Sequence, residues 1–172
     1  MRWLVLIPLL LLPGASSSQP GLIRDLFFAA KDENTIVRFH QVCSKSVSDD
    51  PINLAYLGTA SAMMAEVVSG VRQKLDWFER GKGNIEKAIT LDPGNPEIAF
   101  LRFSVQSEAP RFLGYHNELH KDADTILGSL RAGRIEASEP YWQNVVLFMQ
   151  QSGQLNKLQQ AELRKYLSEN EK

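Results

Sequence analysis

Asn84-Ile85-Glu86-Lys87-Ala88-Ile89-Thr90-Leu91-Asp92-Pro93-Gly94-Asn95-Pro96-Glu97 decides how this chain folds. Ile85, Ala88 and Ile89 recur at the spacing of one face of a helix. Asp92 to Pro96 then supplies a stop, a turn and a new start, so two helices meet there with almost no loop between them.

Reading outward, the same pattern continues in both directions. Upstream, a helix over residues 71–91 sets Val71, Leu75, Phe78, Ile85 and Ile89 in one stripe. Before it, Asp50-Pro51 is an N-cap followed by proline at the first helical position, opening a helix with Leu54, Leu57, Ala60, Met64 and Val67 that Gly70 closes. Residues 34–47 place Ile36, Phe39, His40, Cys43 and Val47 on one face, and a short helix over residues 21–31 is apolar at Leu22, Ile23, Leu26, Phe27 and Ala30. Downstream, a helix from Pro96 ends before Pro110. A single long one over residues 111–130 aligns Phe112, His116, Leu119, Ala123, Ile126, Leu127 and Leu130. Two more follow over residues 140–151 and 157–168, the last capped by Asn156 with Gln159 three residues on. No segment alternates as a half-buried strand does, so the expected fold is all-α, built of antiparallel helical hairpins.

A chain of 172 residues, 44% hydrophobic and 23% charged, is one ordinary domain, and neither disordered nor collagen-like. A net charge of −1 with interspersed signs gives no basic stripe for a nucleic acid. Cys43 is the single cysteine, which excludes an internal disulfide framework and an all-cysteine zinc site. Residues 1–18 read as a signal peptide: Arg2, an apolar run from Trp3 to Leu12, then small residues from Ala15, with cleavage expected after Ser17 or Ser18. That run is shorter than the about 20 residues a spanning helix needs. The expectation is an exported chain, periplasmic or secreted, without stable membrane insertion after cleavage, its residues 19–172 forming one helical domain.

The junction at Pro93 resembles that between two tetratricopeptide repeats. Ala88 and Pro93 fall on that family's late alanine and proline, Ile85 on its aromatic, and Gly81 on the early alanine where two helices touch. Leu57-Gly58 is similar to the Leu-Gly pair of its first helix. Gly58 and Pro93 are 35 positions apart, against about 24 in the 34-residue repeat, so this helix pair is longer by about three turns. After Pro96, Arg102-Phe103 stands where the next Leu-Gly pair belongs. The resemblance implies a right-handed stack of helix pairs with an atypically long repeat, and a peptide groove at Ile52, Ala55, Thr59 and Ala62. The Lys/Asn set that clamps a C-terminal carboxylate is absent from those positions.

Reactive groups are few. His116 and His120, one turn apart on the expected helix, with His40 and Cys43, would form a tetrahedral zinc site if their helices met. That arrangement would make the chain a small metal-dependent hydrolase. Asn117 nevertheless stands where a zinc peptidase has glutamate, and both His116 and Cys43 lie in apolar stripes as core residues do. Asp122 and Asp124 read as a solvated face, and no phosphate loop, dinucleotide fingerprint or nucleophile elbow occurs. Gly81-Lys82-Gly83 interrupts a helical stripe, which points to close helix approach or a kink. Arginines interleave with aromatics in Phe100-Leu101-Arg102-Phe103 and in Pro110-Arg111-Phe112-Leu113-Gly114-Tyr115. The alternative for both is core aromatics with arginines snorkelling over them. Residues 140–149, around Trp142, are apolar on nearly every side, as a buried helix or a docking face would be.

The expected function is therefore a non-enzymatic protein-interaction module without a cofactor, with a protein or peptide partner and Arg102, Arg111, Tyr115 and Trp142 as contact candidates. On this reading Arg102→Ala and Arg111→Ala leave the helices intact while removing the partner.

Overall fold

The helices beginning at Glu33, Pro51, Pro96 and Lys157 start where the sequence provides a capping residue. The structure, a computed structural model, describes residues 20–46 and 49–170; the signal-peptide reading and Val47 lie outside them. Among the described residues the chain forms α1 (Pro20–Ala29), α2 (Glu33–Lys45), α3 (Pro51–Val67), α4 (Val71–Leu91), α5 (Pro96–Glu108), α6 (Leu119–Arg131), α7 (Pro140–Gln151) and α8 (Lys157–Asn170), with no strand. Asp32 caps α2 in a reciprocal box with Thr35, Asp50 caps α3 through the Ile52 amide, and Asn95 caps α5 through Glu97 and Ile98. The Asn156–Gln159 box at α8 is reciprocal: Gln159 N–H donates to Asn156 Oδ1 at 3.0 Å, and Asn156 N–H to Gln159 Oε1 at 3.1 Å.

Helices next to one another in sequence pack together from α1 through α6, and α8 returns to α6. One apolar core runs through all eight. Phe27 of α1 lies edge-on to Phe39, Tyr56 and Phe100, tying the first helix to α2, α3 and α5. Val145 and Met149 of α7 and Leu163 of α8 are buried, so the last two helices are docked. The tightest contact joins α3 and α4. A methyl group on Gly58 would lie 2.7 Å from the Gly81 carbonyl oxygen, and one on Gly81 would lie 2.5 Å from that of Gly58. Bare backbone meets bare backbone there, the close approach that the glycine interruption of α4 implied.

Three expectations need correction. The helix over residues 111–130 is not continuous: Arg111–Leu113 make one 3-10 turn, closed by Gly114 in the left-handed region (φ 63°), and α6 begins only at Leu119. Proline before the turn and glycine after it outweigh the apolar period that seemed to run through them. The stripe of α4 is buried at Phe78 and Ile85, but Val71 is 77% exposed and Leu75 is exposed too. Periodicity shows which residues share a face, not how far along that face a neighbour extends. Asp122, assigned to a solvated face, is buried against α5.

Candidate functional site

Phe112 is 82% exposed, the most exposed large hydrophobic residue of the chain as described. It is held by a short, braced turn. Leu113 N–H donates to the Pro110 carbonyl at 3.0 Å and Gly114 N–H to that of Arg111 at 3.1 Å. The His116 ring then reaches back, Nε2 lying 2.9 Å from the Ala109 carbonyl oxygen. Leu113, beside Phe112 in sequence, packs on a small cluster of Ala62, Phe78, Ile85, Val105 and Tyr115. Phe78 in that cluster is one turn along α4 from exposed Leu75. Apolar surface is thus presented at the turn and on the open start of α4, with exposed Arg111 next to Phe112.

Beneath the turn lies a charged cluster. Arg102 of α5 is 97% removed from solvent, not a surface arginine over core aromatics. Its Nε and Nη2 donate to both carboxylate oxygens of Asp122 at 2.8 and 2.7 Å, and its Nη1 donates to Glu86 at 3.0 Å. Glu118 lies 3.7 Å from the same guanidinium, and Lys121 pairs with Glu118 at 3.2 Å. The Tyr115 hydroxyl donates to the other oxygen of Glu86 at 2.7 Å. Burial pushes the Asp122 carboxyl up to about 6 against the pull of Arg102, with Glu118 and Glu86 adding to the rise. Burial also raises the Tyr115 hydroxyl.

Of the four contact candidates, Arg111 alone is on the surface; Arg102, Tyr115 and Trp142 are buried. The sequence marked Phe112 as aromatic but placed it in an apolar stripe. The signal that finds its exposure is Pro110 with Gly114 bracketing three residues. The groove positions implied by the repeat resemblance are closed as well: Ala55, Thr59 and Ala62 are buried and Ile52 is partly covered.

The residues of the metal alternative go to separate partners. His40 lies edge-on to Trp77, with ring centroids 5.0 Å apart, and burial lowers its pKa. Cys43 is buried and its thiol is pushed up to about 12, so it is a neutral core residue rather than a nucleophile. His116 bonds the Ala109 carbonyl, and His120 lies 3.2 Å from Gln159 of α8. His116 precedes α6, so the shared helix face assumed for the two histidines does not exist. Among the described residues no group of three His, Cys, Asp or Glu side chains is placed to hold a metal ion.

A second buried polar group was missed in the sequence. Glu97, in the first turn of α5, receives Arg24 of α1 through both carboxylate oxygens and the Tyr56 hydroxyl at 2.7 Å. Arg24 also stacks over Tyr141 at 4.4 Å. A cleft of about 180 Å³ opens beside it, lined by Ile23, Arg24, Asp50, Ile52, Asn53, Tyr56 and Glu97. Arg24 and Glu97 are 73 residues apart, so no local pattern announces the pair. Its bonds tie α1, α3, α5 and α7 together, a structural role. Among the described residues, no helix is long and apolar enough to cross a membrane.

No family model matches the chain, and no similar protein emerges among curated proteins or solved structures.

Proposed function

We propose that the chain is a non-enzymatic interaction module that binds a protein or peptide partner through the Arg111–Phe112 turn. The observation carrying this reading is the 82% exposure of Phe112 on a turn whose backbone is braced on both sides. Covering a phenylalanine side chain is worth about 1.5–3 kcal/mol, and a rigid presenting turn loses little entropy on binding. Arg111 beside it adds a planar cation for a carboxylate or an aromatic face. Docked helices and a glycine-to-glycine crossing of α3 and α4 support a tetratricopeptide-like stack as the scaffold. The leader-like composition of residues 1–18 supports export.

The test is capture of a partner from the native envelope by immobilised wild-type chain, Phe112→Ala and Arg111→Ala, with circular dichroism on each. Phe112→Ala is expected to keep the wild-type spectrum and lose at least tenfold of the captured partner. Equal capture by wild type and both variants removes the turn from recognition.

A further inference from the structure

The apolar surface at Phe112 continues along α4. With only Asp92–Asn95 between them, α4 and α5 run antiparallel, and Arg102 of α5 meets Glu86 of α4 at 3.0 Å. Each residue beyond Arg102 therefore stands nearer the start of α4, and Val105 already joins Phe78 in the small apolar cluster. Tyr115 fixes the turn to one face of α4. Its ring lies edge-on to Phe78 at 5.8 Å and beneath Lys82 at 5.5 Å, and its hydroxyl reaches Glu86 at 2.7 Å. Phe78, Lys82 and Glu86 follow one another by one helical turn, and stepping back by the same period gives Leu75 and then Val71. The chain from Pro110 to Tyr115 covers α4 from Phe78 onward and leaves Val71 and Leu75 exposed on that same face. The open stretch from Val71 to Phe78 is about 10 Å long. It forms a step, with the start of α4 as its floor and the turn bearing Leu113 and Phe112 as its wall.

Cations border this step. Arg72 and Lys74 flank the line from Val71 to Leu75, Arg111 precedes Phe112, and residues 71–75 and 110–115 contain no acid. All three cations are exposed, and none is paired with a carboxylate among the described residues. Of the acids that follow on α4, Glu79 is taken by Lys82, and Asp76 falls away from the face of Val71 and Leu75. Glu66 and Glu108, at the ends of α3 and α5, reduce the positive excess without cancelling it. An angled apolar surface suits a rod, which touches floor and wall together, better than a flat lipid surface, which touches one.

We propose that the step is a docking seat for an acidic amphipathic helix of a partner protein, about two to three turns long. The apolar stripe of that helix covers Val71, Leu75 and Phe112, and its carboxylates meet Arg72, Lys74 and Arg111. The inference rests on the reading of the Phe112 turn as the recognition element, and adds to it a second limb on α4 and the chemistry of the partner. Charges at such a rim set the encounter rate and the choice of partner more than raw affinity, and salt screens them.

The experiment is a nitrogen-15 NMR titration of the unmodified full-length chain with two synthetic helical peptides. One carries leucines at helical spacing flanked by glutamates; the other has lysine at every glutamate position. The glutamate peptide is expected to move the amides of Val71, Leu75 and Phe112 along one binding curve, and to bind roughly tenfold tighter than the lysine peptide at low salt. Lys74→Glu/Arg111→Glu is expected to reverse that order while keeping the wild-type circular dichroism spectrum. Equal binding of the two peptides, or binding of neither, overturns the proposal. Movement of Phe112 without Val71 and Leu75 overturns the seat but leaves the turn as a recognition element, so the two readings fail separately. Shifts of these amides with protein concentration alone assign the step to a second copy of the chain, and shifts with phosphatidylglycerol vesicles but neither peptide assign it to a lipid surface. Each of those results also overturns the proposal.

Discussion

At Arg102 a guanidinium gives up nearly all its water and receives Asp122 and Glu86 in return. A buried pair of this kind contributes little against an apolar replacement of both partners, but removing one partner strands the other charge. Arg102→Ala is therefore expected to lower unfolding stability by about 3–5 kcal/mol in urea denaturation, with Arg102→Met/Asp122→Leu losing clearly less. An equal loss in the single and double variants would argue against the pair as the cause. This reverses the expectation that Arg102→Ala spares the helices. Arginine near phenylalanine reads alike on a surface and in a core, and the partners that decide, Glu86 and Asp122, are 16 and 20 residues away.

Among the elements, α4 combines legible and illegible features. Its limits, the burial of Phe78 and Ile85, and the close approach at Gly81 all follow from composition and period. Gly58→Ala and Gly81→Ala each drive a methyl group to within 2.9 Å of facing backbone, and overpacking of this kind costs about 1–3 kcal/mol. Gly83 has open space around its Cβ position, and alanine is favoured over glycine in a helix by about 1 kcal/mol. Thermal melts are expected to fall for the first two variants and rise for Gly83→Ala. A lower melt for Gly83→Ala would show a constraint that the crossing does not explain. The exposed start of α4 was hidden for a different reason: Val71 and Leu75 keep the period, but the neighbouring helices leave them exposed. The split of residues 111–130 likewise turned on Gly114, whose left-handed conformation ends the turn before the apolar stripe resumes.

For the whole molecule, stability against pH follows from groups whose proton affinity changes on folding. Asp122 is raised to about 6 from an ordinary 3.8, so the folded chain keeps a proton that the unfolded chain releases in that window. Its contribution is fully present below the ordinary value and is lost as pH rises through about 6. His40 is lowered by burial and acts oppositely, contributing stability that is lost as pH falls below its ordinary value, and Asp32, lowered chiefly by the Thr35 amide, is lost further into acid. The difference between wild type and Asp122→Asn isolates the first effect. The wild type is expected to lose stability relative to the variant as pH rises from about 4 to 6, with a flat difference above about 7, measured by chemical denaturation at each pH. A difference flat across the whole range would count against a raised Asp122. Helix class, most helix limits and much of the apolar core were readable in the chain, because capping, proline placement and the 3.6-residue period act within a few positions. The depth of Arg102, the exposure of Phe112, the separation of the histidines and the Arg24–Glu97 pair were settled only in three dimensions. Burial and ion pairing depend on which distant helix arrives at a face, and no local spacing encodes that arrival.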